Sequence, residues 1–97
     1  MNNKKLYETI YILKGSFTED EYKQKFNNVQ KYLSKYNIEK VEEVGKRKLA
    51  YEVDQETNGY FVIVEIRATE EEIAEIQRYY RINDDIIKFL VVKKYRK

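Results

Sequence analysis

The sequence predicts an α+β domain in which a four-stranded antiparallel sheet carries two helices on one face. Three observations support this. Two stretches with apolar residues at helical spacing each begin at a threonine that opens a capping box. Four stretches rich in aromatic and β-branched residues flank them. The six follow one another as strand, helix, strand, strand, helix, strand.

Residues 6–14 read Leu-Tyr-Glu-Thr-Ile-Tyr-Ile-Leu-Lys and stop at Gly15-Ser16, which predicts the first strand. Thr18 is a good helix N-cap, and Glu21 three residues on completes the box. Tyr22, Phe26, Val29, Leu33 and Tyr36 then recur at spacings of 4, 3, 4 and 3, one face of a helix that Asn37 is expected to end. Residues 38–53 predict a long strand interrupted at Gly45, where a bulge or bend is expected. Leu49, Tyr51 and Val53 alternate beyond it. Residues 54–59 form a polar turn whose Asn58-Gly59 is a strong hairpin signal, and residues 60–66 are the next strand. Thr69 and Glu72 make the second capping box. Glu70, Glu71 and Glu72 sit where the helix dipole favours negative charge, and Arg78 and Arg81 where it favours positive charge. Ile73, Ile76 and Tyr80 supply the buried stripe. Asn83-Asp84-Asp85 is a turn before a last strand over residues 86–93. The order β-α-β-β-α-β is the split βαβ, or ferredoxin-like, arrangement.

At 97 residues the chain is expected to be a single domain, with residues 93–97 as a basic tail. It has no Cys, which excludes disulfides, thiolate nucleophiles and cysteine-held metal or iron–sulfur sites. It has no His, so the usual general base and the commonest metal ligand are missing. Gly15, Gly45 and Gly59 stand too far apart to form a phosphate-cradling loop. No catalytic residue, metal site or cofactor is expected. No apolar run is long enough to span a membrane, and the start lacks the apolar stretch of a signal peptide, so a soluble cytoplasmic protein is expected.

The net charge of +2 says little about partners, but its distribution is uneven. Lys46-Arg47-Lys48 is one basic cluster. Lys88, Lys93, Lys94, Arg96 and Lys97 form another in a segment without acids, while acids gather at Glu19-Asp20-Glu21 and Glu70-Glu71-Glu72. Lysine and arginine can neutralise phosphates and release counterions, so Lys46, Arg47 and Lys48 are a candidate RNA-binding run. The same run also suits an edge strand that resists aggregation, and the charges alone do not separate the two readings.

Strand alternation divides the sheet residues into two sets. Tyr7, Thr9, Tyr11, Leu13, Tyr60, Val62, Val64, Ile66, Ile87, Phe89 and Val91 are assigned to the helix side. Ile10, Ile12, Phe61, Ile63, Leu90 and Val92 then face outward beside Glu8, Glu65 and Lys88. An open face meeting only water should be polar, so these six form a candidate protein-docking patch. Scattered apolar side chains on a sheet are also common, and Thr9 is a weak core residue that suits the inverted assignment. An acylphosphatase-like hydrolase on this topology would need an anion-cradling loop after the first strand. Gly15-Ser16-Phe17 is instead followed by acids.

Three segments go further. Gly45-Lys46-Arg47-Lys48-Leu49-Ala50-Tyr51-Glu52-Val53 closely resembles the signature of the bacterial small-subunit ribosomal protein S6 family. The opening Tyr7-Glu8-Thr9-Ile10-Tyr11-Ile12-Leu13-Lys14 resembles the same family. So does the stretch from Tyr80-Arg81-Ile82-Asn83-Asp84-Asp85 to Ile86-Ile87-Lys88-Phe89-Leu90-Val91-Val92-Lys93, in the same order along nearly the whole chain. The resemblance implies a ferredoxin-like structural protein of the cytoplasmic small ribosomal subunit. It implies binding to the central domain of 16S ribosomal RNA together with ribosomal protein S18, with no small-molecule substrate. Carried over by position, the RNA contacts it implies are Lys5, Lys46, Arg47, Lys48, Arg81 and Lys88, with Lys93 and Lys94 in the variable tail.

Overall fold

The computed structural model describes residues 3–95; Met1, Asn2 and the Arg96 and Lys97 of the expected basic tail lie outside them. The elements are β1 (Lys5–Lys14), α1 (Glu19–Leu33), β2 (Asn37–Val53), β3 (Glu56–Ala68), α2 (Glu70–Ile82) and β4 (Ile86–Lys93). The strands form one antiparallel sheet in the order β2-β3-β1-β4, so β1 and β3 are central and β2 and β4 are edges. This is the ferredoxin-like topology the sequence predicts.

Both capping boxes are present: Thr18 accepts from the Glu21 amide at 3.1 Å and Thr69 from the Glu72 amide at 3.1 Å, and each glutamate returns the bond to its cap. Each box satisfies two amides that a helix start leaves unpaired. The helices cover one sheet face, and Tyr7, Tyr11, Leu13, Tyr60, Val62, Val64 and Ile66 pack there against Tyr22, Val29, Leu33, Ile73, Ile76 and Tyr80. Thr9 is fully buried among them, so the face assignment holds. Its hydroxyl lies 2.8 Å from the Tyr80 hydroxyl and reaches the Val64 carbonyl at 3.4 Å, which satisfies the group that made it look out of place.

The structure moves several boundaries. α1 ends at Leu33 with Ser34 as its cap, and Asn37 begins β2 rather than closing the helix. Tyr36 stays buried from the turn by donating to Glu75 at 2.7 Å. The hairpin turn is Asp54-Gln55, not Asn58-Gly59: both turn residues have positive φ, 50° and 67°, as a two-residue type I′ connection requires. Gly59 lies inside β3 opposite Lys14 and Arg47, where a Cβ would collide with the Ile12 side chain. In β4 a bulge between the pairs Ile12–Lys88 and Leu13–Ile86 leaves Ile87 without a partner. Ile86 therefore takes the core position assigned to Ile87.

Gly45, with φ +101°, sits at a register shift, as its place in a strand suggested. A larger shift follows. Lys48 pairs with Asn58 but Val53 pairs with Glu56, so Leu49, Ala50, Tyr51 and Glu52 stand against Thr57 alone. The surplus residues bend the hairpin over the open face of the sheet. Tyr51, on one edge strand, accepts a 2.8 Å hydrogen bond from Lys88 on the opposite edge strand.

Candidate nucleic-acid interface

Residues paired across neighbouring strands share a face, which fixes the open surface row by row. One row runs Leu90, Ile10, Ile63, Glu42 from β4 to β2; the next runs Lys88, Ile12, Phe61, Gly45; a third runs Val92, Glu8, Glu65, Lys40. All six predicted docking residues thus lie together on the face away from the helices. They are not equally accessible. Leu90 and Val92 are 56% and 45% exposed, whereas Ile12 is 6% exposed and does not face solvent as expected. The bent hairpin is the reason. Leu49, Ala50, Tyr51 and Val53 arch beside Ile10, Ile12, Phe61 and Leu90 and enclose an apolar groove of about 300 Å³, with Ile12 among its lining residues.

The candidate RNA-binding cations separate into two groups. Arg47 pairs with Gly59, which pairs with Lys14, so these three form a row at one end of the sheet. Alternation places Lys46 and Lys48 on the helix side of β2 and Arg47 on the open side. The run therefore straddles the sheet edge. Lys46 lies 5.7 Å from the Tyr60 ring centre, Arg47 donates to the Lys46 carbonyl at 3.1 Å, and Lys48 is exposed. None of the three is in an ion pair among the described residues. Lys88 and Arg81 are near the same end: the hairpin tip residue Asp54 shares a cavity with both, and Arg81 stands 5.9 Å from the Phe89 ring.

Lys5, Lys93 and Lys94 occupy the other end, around a cavity that Lys4 and Arg67 also line. The length of β1 puts roughly 30 Å between the groups. There Lys94 is held 3.1 Å from Glu65 and 3.6 Å from Glu8, two carboxylates on directly paired residues. The hydrogen bond to Glu65, more than the charges of Glu65 and Glu8, raises the Lys94 pKa above the ordinary lysine value. Lys93 lies 5.8 Å from the Tyr95 ring, and Lys5 is exposed at the start of β1.

Sequence reasoning missed Lys14 and Tyr51 as members of the basic end. Lys14 closes the first strand and gives no local sign that it aligns with Arg47. Tyr51 reads as one more alternating strand residue, yet it is 64% exposed and fixed by Lys88. That hydrogen bond, with the Lys88 charge, lowers the Tyr51 phenol pKa below its ordinary value.

A ferredoxin-like domain with one open, partly apolar sheet face and edge cations outside any ion pair among the described residues belongs among binding proteins. The ribosomal protein S6 family model matches residues 6–93, and the chain belongs to that family. It is 38% identical over 89 residues to the small ribosomal subunit protein bS6 of Helicobacter acinonychis, which covers 90% of this chain and 63% of that protein. A Sulfurovum bS6 is also 38% identical, with 90% of this chain and 70% of that protein covered. This chain therefore spans a little under two thirds of the Helicobacter relative's length. The crystal structure of 30S ribosomal protein S6 from Thermotoga maritima superposes with a TM-score of 0.83 at 26% identity, covering 94% of this chain and 88% of the other. The family is one of ribosomal proteins, not of enzymes.

Proposed function

We propose that this protein is a structural constituent of the small ribosomal subunit in the cytoplasm. In this reading it binds the central domain of 16S ribosomal RNA through Lys46, Arg47 and Lys48, with Arg81 and Lys88 extending the contact. Ribosomal protein S18 docks on the open sheet face at Ile10, Phe61, Ile63, Leu90 and Val92, with Ile12 beneath as support. Lys5 and Lys93 meet RNA only where it reaches the far end of the sheet. Lys94 contributes least, because Glu8 and Glu65 already hold it.

One observation carries the reading. Lys46, Arg47 and Lys48 enter no ion pair among the described residues, although Lys4, Lys25, Arg67 and Lys94 all do. Cations that no carboxylate among the described residues engages are available to engage phosphate. The relatives' names, which place those proteins in the small subunit, support the same conclusion.

The test is binding to a transcript of the central domain across a salt series. Wild-type affinity is expected to fall steeply with salt. Replacing Lys46, Arg47 and Lys48 together by Ala is expected to reduce the log–log slope by about one unit per lost phosphate contact while the fold persists. A folded triple variant that binds with undiminished affinity and slope removes these residues from the interface. A second reading, a protein-interaction module acting without RNA, is favoured by the apolar groove alone. Full-strength capture of S18 in the absence of RNA, with no RNA binding by the protein itself, would decide for it.

A further inference from the structure

We infer that Tyr51 is a base-stacking residue, and that an unpaired RNA base lies against its exposed ring. This rests on the RNA-binding reading above and adds a second kind of contact to it. Three features of the structure point the same way. Tyr51 is 64% exposed although it belongs to a hairpin that bends back over the sheet, so a large part of its ring meets solvent while the rest borders the apolar groove. The ring is held in place: its residue has no ladder partner on β3, but its hydroxyl is anchored by Lys88 from the opposite edge. Its neighbourhood is cationic, with Arg47 and Lys48 preceding it on β2 and Lys88 at its tip, none of them in an ion pair among the described residues.

The position of Lys88 matters. Its Nζ lies 2.8 Å from the Tyr51 oxygen but 4.9 Å from the ring centre. The oxygen of a tyrosine stands roughly 2.8 Å from its ring centre, from ordinary covalent dimensions. The ammonium therefore lies out beyond the hydroxyl and does not cap the ring. It is placed to meet a phosphate next to a stacked base. An immobilised aromatic plane beside cations is the arrangement that holds single-stranded nucleic acid, the cations following the backbone and the ring taking a base of any identity. The same ring cannot read sequence, so the contact adds affinity for an unpaired nucleotide without choosing which one.

The experiment measures binding of the full chain to the central-domain transcript across a salt series for wild type, Tyr51→Phe and Tyr51→Leu. Tyr51→Leu keeps apolar cover over the groove and removes the flat ring; affinity is expected to fall about tenfold with the salt slope unchanged, since no phosphate contact is lost. Tyr51→Phe keeps the ring and is expected to stay within about threefold of wild type. Ultraviolet crosslinking of wild type is expected to join Tyr51 to a base in an unpaired segment. If Tyr51→Phe loses as much as Tyr51→Leu and both show a smaller slope, Tyr51 only positions Lys88 and the inference is overturned. A Tyr51→Leu protein that binds RNA normally also overturns it, the more so if it has lost affinity for S18, because the ring would then belong to the protein contact. Failure of the wild-type chain to bind the transcript at all would remove the RNA-binding reading and this inference with it.

Discussion

Among individual residues, the pair Thr9 and Tyr80 shows how a polar atom earns a place in the core. Both are fully buried, they lie 71 residues apart in sequence, and their hydroxyls sit 2.8 Å from each other. Removing the Thr9 hydroxyl strands that of Tyr80 in a dry interior, which costs about 1–3 kcal/mol. Removing the Tyr80 hydroxyl leaves Thr9 its bond to the Val64 carbonyl, and removing both leaves no unmet group. Thr9→Val is expected to destabilise by about 1–2 kcal/mol in urea denaturation, and Tyr80→Phe by less. The double variant should cost clearly less than the sum, a coupling read from the double-mutant cycle. Strict additivity would mean that the two hydroxyls do not depend on each other. Sequence periodicity placed Thr9 on the core side but supplied no partner for it, because nothing local to Thr9 reveals a phenol from the far end of the chain.

Elements differ in how much their local sequence decides. The capping boxes were legible because every group in them lies within four residues, so short-range chemistry fixed both helix starts. Thr18→Ala or Thr69→Ala is expected to lose about 1 kcal/mol, measurable as a lower urea midpoint. The hairpin was misplaced because Asn58-Gly59 carries the stronger local turn preference. Long-range packing overrides it: Gly59 lies where the backbone passes close over Ile12, and the Asn58 carbonyl accepts from the Gly15 amide at 3.2 Å. The turn falls instead on Asp54 and Gln55, whose positive φ values ordinary side chains disfavour. Gln55→Gly removes that penalty, roughly 1–2 kcal/mol, against a smaller entropic loss. A net gain of about 0.5 kcal/mol is expected. Lower stability in this variant would argue against the assigned turn.

For the molecule as a whole, the candidate site was legible as residue types and only partly as a place. Six apolar residues were assigned to one face by alternation, and the register confirms that they share it. That Ile12 is covered depends on a bend created by surplus residues in β2, and that the cations divide between two ends of the sheet depends on strand register; periodicity shows neither. The absence of His has a global consequence: no side chain of ordinary pKa titrates between pH 5 and 8, so stability should be flat there. The alkaline side is different. Tyr11, Tyr22, Tyr36 and Tyr80 are buried, and desolvation is the main reason that each has its pKa pushed above the ordinary phenol value. Glu43 beside Tyr22 and Glu75 beside Tyr36 push further in the same direction, while the bond to Thr9 partly opposes the rise at Tyr80. The sign follows from which state releases protons first. Below pH 10 these phenols are neutral in both states and stability is at its full value. Above it the unfolded chain ionises while the folded chain does not, and stability falls with each further unit. The deeply buried Tyr11 and Tyr80 contribute up to about 1.4 kcal/mol each per pH unit. Tyr22 and Tyr36, whose hydroxyls reach the exposed Glu43 and Glu75, contribute less. Together they exhaust a typical stability of about 5–15 kcal/mol within a few pH units. Titration from pH 9 upward should therefore show flat ellipticity to about pH 10, then one cooperative unfolding step accompanied by a jump in tyrosinate absorbance. Gradual ionisation of these four phenols in a chain that stays folded would show that burial does not hold them neutral.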